Sequence, residues 1–152
     1  MDHLPAEPEP FLRLDDQLCF ALYTASSAIV RAYRPLLADL GLTYPQYIVL
    51  MALWEREEVN VGDLADRLGL PPSGVTPVLD RLEAAGLLLR RRGTEDRRLV
   101  VVGLTDEGRA LEAPAARAQH RVRCQTLLTP EALVGLREEL HDLVEVMSED
   151  AA

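Results

Sequence analysis

Apolar residues recur at Leu18, Leu22, Ala25, Ile29, Ala32 and Leu36, the spacing of one face of an α-helix that runs from an N-cap at Asp15 toward Leu40. Pro35 has no backbone donor and is expected to kink or interrupt that helix, and Gly41 to end it. A second helix opens with "TYPQYIVLMALWERE", where Thr43 caps, Pro45 sits in the first turn and apolar residues continue through Trp54. The segment "NVGDLADRLGLPPSGVTPVLDRLEAAGLL" holds a short amphipathic helix near 62–68 with Leu64, Ala65 and Leu68 inward, then a break at Gly69–Pro72. Another helix follows from Pro72 or Ser73 to Ala85, closed by Gly86. Two short helices joined by a tight glycine-containing turn have the layout of a helix-turn-helix.

The period changes in "LLLRRRGTEDRRLVVVGL", residues 87–104. A run from apolar to basic, a "GTED" turn and the β-branched Val100–Val102 predict a hairpin with its tip at 93–96. Thr105 then caps a helix whose first turn holds Asp106 and Glu107 and which Pro114 is expected to interrupt. Thr129-Pro130-Glu131 starts the last helix, with a stripe of Leu133, Leu136, Leu140, Leu143 and Met147. The fold class is therefore mainly α, a winged helix-turn-helix with a two-stranded β-hairpin wing between long N- and C-terminal helices. The expected divisions are a Pro- and acid-rich tail at 1–12, a long helix within 13–42, the winged lobe at 43–104 and the C-terminal helices at 105–152. The outer helices are apolar on one face, and they pack either on each other or across a two-fold dimer.

At 152 residues, with 48% hydrophobic, 27% charged and 5% aromatic residues, the chain has the make-up expected of one soluble domain with its own core. Its start, "MDHLPAEPEPF", has acids and prolines where a secretory leader needs a basic and then an apolar region. No apolar stretch has the length of a membrane span. The expectation is a cytoplasmic protein without membrane contact, in which two cysteines are free or redox-active rather than a structural disulfide.

A net charge of -9 argues at first against a nucleic-acid partner. Its distribution reverses that inference: from Arg67 to Arg98 seven arginines face four acids, a local excess of +3 in a chain that is otherwise acidic. Within this basic stretch, Ser73, Gly74, Thr76 and Pro77 supply the small and hydroxyl-bearing residues that the first turn of a groove-entering helix needs, with Arg81 further along. Local capping by Ser73 and Thr76 and simple exposure of Arg81 account for the same residues. The hairpin tilts the balance, because Arg90–Arg92 and Arg97–Arg98 bracket a tip able to reach phosphates or a narrow minor groove. No catalytic constellation competes. The chain has no glycine-rich phosphate loop, no His-x-x-x-His or Cys-x-x-Cys pair, and three scattered histidines, so neither an enzyme nor a metal or other cofactor is expected. Cys19, in "LDDQLCFALY", is either a small packing residue or a reactive thiol.

In this order, the segments "GLTYPQYIVLMAL", "LADRLGLPPSGVTPVLDRLEAAGLLLRR" and "EDRRLVVVGLTDEG" resemble the multiple-antibiotic-resistance regulators, dimeric winged-helix repressors, over residues 13–147. The resemblance implies a homodimer held by the outer helices on an inverted repeat of double-stranded DNA. The helix starting near Ser73 would enter the major groove, Arg91 and Arg98 would contact DNA, Arg98 in the minor groove, and Asp96 would fix the wing. "LDDQLCFALYTASSAIVRAYRPLL" followed by "LTYPQY" is similar, more narrowly, to the organic hydroperoxide resistance branch. There a cysteine at the position of Cys19 is the peroxide sensor, and tyrosines at the positions of Tyr33 and Tyr44 hydrogen-bond it. In the two-cysteine type, a second cysteine at the place of Cys124 forms an intersubunit disulfide with the sensor, and the DNA is released.

Geometry bears on this reading. Fourteen residues of helix separate Cys19 from Tyr33 by roughly 21 Å, so the phenol meets the thiol only across a subunit boundary or a sharp bend. Asp15 and Asp16, four and three residues before Cys19, are expected to share its helical face and oppose its ionisation. The alternatives are a repressor of the same family released by a small phenolic or apolar ligand, with both cysteines as packing residues, and a peroxide-consuming enzyme, which the winged-helix pattern disfavours.

Overall fold

The structure, a computed structural model, describes residues 12–150. All but the last residue of the expected tail at 1–12 lies outside the described residues. Helix α1 spans Leu18–Ala38, α2 Tyr44–Trp54, α3 Val61–Leu68, α4 Pro72–Ala84, α5 Asp106–Ala110, α6 Glu112–Gln125 and α7 Pro130–Asp150. Strands β1 (Glu58–Asn60), β2 (Leu88–Arg92) and β3 (Val100–Leu104) form one antiparallel sheet in the order β1-β3-β2.

The start of α1 differs from expectation. Leu14–Asp16 form a separate 3-10 turn, Asp15 does not cap, and the helix begins after Gln17. The two aspartates therefore do not sit one turn below Cys19 on its own helix. Pro35 leaves the Arg31 carbonyl without its usual helical donor, yet α1 continues to Ala38 because Leu37, just beyond it, is fully buried in the core. Conversely, the break expected at Pro114 occurs at Leu111, between α5 and α6. A proline ring obstructs the carbonyl four residues earlier, here that of Ala110, so the chain breaks before the proline itself.

Helix α2 is apolar on nearly every side and lies at the centre, with Tyr47, Val49, Leu50, Ala52 and Leu53 buried. Its start is a reciprocal cap: Thr43 Oγ1 accepts from the Gln46 amide, and Gln46 Oε1 accepts from the Thr43 amide at 2.9 Å. Around it gather Leu37 of α1, Leu64 and Ala65 of α3, Val75, Leu79 and Leu82 of α4, Leu88 and Val102 of the sheet, and Ala115 and Val122 of α6. Between α3 and α4, Gly69 adopts φ 65°, a left-handed conformation that ends α3 and turns the chain at little steric cost.

The hairpin is present, with a third strand added. Strand β1 is only three residues long and follows directly on α2 without an apolar alternation of its own, and it pairs Val59 with Val102. Trp54 Nε1 donates to the Gly108 carbonyl at 2.9 Å, and Thr105 Oγ1 donates to the Gly86 carbonyl at 2.6 Å. These bonds tie α5 to α2 and to the end of α4. Among the described residues, no helix is long and apolar enough to cross a membrane.

Candidate nucleic-acid interface and thiol site

Burial of Val75, Leu79 and Leu82 fixes the rotation of α4, so Ser73, Gly74, Thr76, Pro77 and Arg81 are all exposed. Pro77 has no N–H, which leaves the Ser73 carbonyl without its helical donor, while Thr76 Oγ1 donates to the Pro72 carbonyl at 3.0 Å. A Cβ at Gly74 would meet Pro71 and Leu70 at ordinary contact distances of 3.7–3.8 Å. The fold thus tolerates a side chain there, and the bare backbone is a property of the outer surface. A helix start offering hydroxyls and no bulky side chain is suited to approach a phosphate backbone.

In the sheet, Arg90 pairs with Val102 and Arg91 with Val101, so their side chains leave on opposite faces. Arg90 turns inward to α4: its amide and guanidinium donate to Glu83 at 3.1 and 3.2 Å, and it forms an ion pair with Asp80 at 2.6 Å. The Arg90 guanidinium holds Glu83 below the usual carboxylate range. Arg90 therefore couples wing to helix and leaves the set of arginines expected to face a ligand. Arg91 crosses the sheet surface to Glu58 at 2.6 Å.

At the tip, Asp96 accepts from the Arg98 amide, Nε and Nη2 at 3.0, 3.1 and 3.0 Å. Those bonds hold the Asp96 carboxyl below its ordinary value and orient a guanidinium that remains 90% exposed. Gly93 is required sterically, because a Cβ there would collide with the Asp96 carbonyl. The amide of Gly93 donates to Leu99 at 2.9 Å and closes the tip.

The thiols lie apart from this surface. Cys19 is exposed on the second residue of α1, where the helix presents unpaired amides, between the exposed Leu18 and Tyr23. Fourteen residues along the same helix, Tyr33 is buried and its ring centroid lies 5.6 Å from that of Tyr44 and 5.1 Å from that of Tyr47. Tyr47 OH donates to Tyr33 OH at 3.5 Å. Burial, and then the neighbouring Tyr33, raise Tyr44, and burial with the Tyr33 hydrogen bond raises Tyr47 further, so both phenols remain protonated donors. The structure thus brings Tyr33 and Tyr44 together and adds Tyr47, which the "YPQY" spacing had placed on the face of Tyr44 without marking it out. Within one chain it does not bring Cys19 to them. Cys124 is exposed near the end of α6, its Sγ 3.7 Å from His120 Nε2.

The family model described as "MarR family" matches residues 42–100. The HTH-type transcriptional regulator TtmR of Methylorubrum extorquens (strain PA1) is 45% identical over 135 residues, 84% of this chain and 69% of that protein. The chain belongs to the MarR family. This MarR-family protein is a DNA-binding transcriptional regulator and not an enzyme. It is also similar to the organic hydroperoxide resistance transcriptional regulator of Bacillus subtilis (strain 168), 37% identical over 136 residues and covering 90% of this chain and 92% of that one. Among solved structures, reduced AbfR bound to DNA superposes with a TM-score of 0.74 at 31% identity, over 89% of this chain and 94% of that one. CouR from Rhodococcus jostii RHA1 bound to p-coumaroyl-CoA gives 0.76 at 29%, over 88% and 95%.

Proposed function

We propose that this regulator is a peroxide-switched repressor acting as a homodimer on an inverted repeat. The observation that carries the reading is the separation, along one unbroken helix, of the exposed Cys19 thiol from the buried Tyr33, whose ring packs on Tyr44 and Tyr47 of α2. The surface around Cys19 includes exposed Leu14, Leu18 and Tyr23, an apolar patch that a second copy would cover. Association through it, and through the exposed Leu136, Val144 and Met147 of α7, sets the thiol against the tyrosine cluster of the other subunit. The phenols Tyr33 and Tyr44 then donate to the thiolate and favour it over the thiol.

In the reduced dimer, α4 enters the major groove through Ser73, Gly74, Thr76, Pro77 and Arg81, and the two helices are roughly 34 Å apart. Arg91 lies along the wing, and Arg98, oriented by Asp96, enters the minor groove. An organic hydroperoxide transfers its terminal oxygen to Cys19, which becomes a sulfenic acid as the alcohol leaves. The Cys124 thiol of the other subunit then displaces water to form a disulfide. Bringing two sulfurs to about 2.05 Å moves the helices that carry them, and the spacing of the two α4 helices changes with them. The similarity to the Bacillus subtilis hydroperoxide regulator and to AbfR supports the redox character of the switch.

A second reading, release by a small apolar ligand, is favoured by a cleft of about 230 Å3 between α1 and α6, lined by Ala28, Ile29, Ala32 and Val122, and by the similarity to CouR. A non-reducing gel after stoichiometric cumene hydroperoxide separates the two. The redox reading requires a dimer-sized band that disappears in both Cys19→Ser and Cys124→Ser, and its absence in the parent protein sinks it.

A further inference from the structure

The two thiols differ in their surroundings. Cys19 stands at a helix start, whereas Cys124 is the penultimate residue of α6, one turn after His120, with 3.7 Å between Sγ and Nε2. Cys124 opens into a cleft of about 260 Å3 between the end of α6 and the start of α7, walled by Leu128, Leu133 and Val134 and edged by Arg123 and Arg137. Exposed carbonyls give a helix C-terminus a partial negative charge. The two arginines bring charge of the opposite sign to the sulfur.

Helices α1, α2 and α5 pack against α6. Helix α1 lies against α6 through Ala28, Ile29 and Ala32. The titratable groups of α2, Tyr44 and Tyr47, face Tyr33. Helix α5, with Asp106, Glu107 and Arg109, precedes the opposite end of α6. On α6 itself, Arg117 and Arg121 flank His120 and add positive charge.

We propose that His120 is the positioning residue and proton acceptor that makes Cys124 the attacking thiolate, an inference that rests on the reading of Cys124 as the resolving thiol. The Cys124 S–H donates to Nε2, and the proton passes to the imidazole. The thiolate attacks the sulfenic sulfur of the partner's Cys19, and the S–S bond forms as the S–O bond breaks. The departing hydroxide takes the proton back from the imidazolium and leaves as water. The sulfenic sulfur is reduced, the Cys124 sulfur is oxidised, and no further reactant is needed.

Two measurements on the full-length protein test this. In the reduced Cys19→Ser protein, the rate of Cys124 alkylation by iodoacetamide is followed from about pH 5.5 to 9.5, with and without His120→Gln. His120 is exposed, so this substitution leaves the core untouched. The expected result is a loss of roughly tenfold at pH 7 and a profile moved to higher pH, the two proteins converging at the alkaline end. In the protein with both thiols, dimedone trapping after cumene hydroperoxide should show sulfenic acid forming at the parental rate in His120→Gln, while disulfide formation slows by the same factor. Superimposable alkylation profiles overturn the role of His120 even where the disulfide forms. Absence of any disulfide in the parent protein overturns the resolving step itself.

Discussion

The centre of the molecule and its two outer helices are built on opposite terms. From Leu37 to Val122 the apolar side chains close on one another around α2, and Leu37, Leu50, Leu64, Leu79, Leu82 and Leu88 are withdrawn from solvent. The first half of α1 and all of α7 carry stripes of the same residue types, yet Leu18, Leu136, Val144 and Met147 remain exposed. The surface that carries the exposed residues of α4 is therefore held rigid by a buried core, and the surface that carries the thiols is the one that another chain completes in the proposed dimer. In the proposed switch, a chemical event at the second surface would change how two rigid bodies are spaced without unfolding either.

Substitutions in the two regions should separate this division. Leu79→Ala removes a fully buried side chain beneath α4 and should cost about 2–5 kcal/mol of unfolding free energy, measured in urea, by the same amount at every protein concentration. Leu136→Asp, on α7, should weaken dimerisation by about 3 kcal/mol or more, seen as monomers in sedimentation and as lost DNA binding, with the winged lobe still folded. An equal effect of the two on lobe stability would refute the division.

Within the lobe the expected effects are smaller. Arg98→Ala should reduce affinity for the operator by roughly tenfold to a hundredfold in fluorescence anisotropy and leave thermal stability nearly unchanged. Gly74→Ala should raise helix stability by up to about 1 kcal/mol and still weaken DNA binding, because the fold leaves room for a methyl group there while the proposed contact with the groove does not. Stability should also depend on pH at the alkaline end. Tyr44 and Tyr47 ionise above the usual phenol value in the folded protein, so the folded state holds protons that the unfolded state has lost. Their contribution is fully present below about pH 10 and declines as pH rises beyond it, which alkaline titration of phenolate absorbance with parallel unfolding curves checks.

Much of this architecture is written in local sequence. Thr43 with Gln46, Gly69, Thr105 and Thr129 are chemical signals whose partners lie within a few residues, and each acts where its position predicts. Strand β1 was not legible, because three residues cannot display alternation and their pairing partner, β3, lies some forty residues away. The start of α1 was misplaced for a related reason: Asp15 is a good cap by type, but the chain makes a 3-10 turn there first. At the site, Ser73, Gly74, Thr76, Pro77 and Arg81 were marked out by residue type, and the burial of Val75, Leu79 and Leu82 accounts for their exposure. The inward turn of Arg90 did not, since a run of three arginines looks uniform until strand register assigns each its face. Tyr33 and Tyr44 were identified by resemblance, and their contact with Tyr47 depends on how α1 crosses α2.

In the proposed switch, one chemical event couples the thiols to DNA. Anisotropy of the reduced protein on its own upstream DNA, repeated after one equivalent of organic hydroperoxide and again after dithiothreitol, tests it when each sample is also run on a non-reducing gel. Tight binding is expected, then release in step with an intersubunit disulfide that fails to form in Cys19→Ser and Cys124→Ser, then recovery. Release by peroxide in Cys19→Ser, or a disulfide-linked dimer that still holds the DNA, would contradict it.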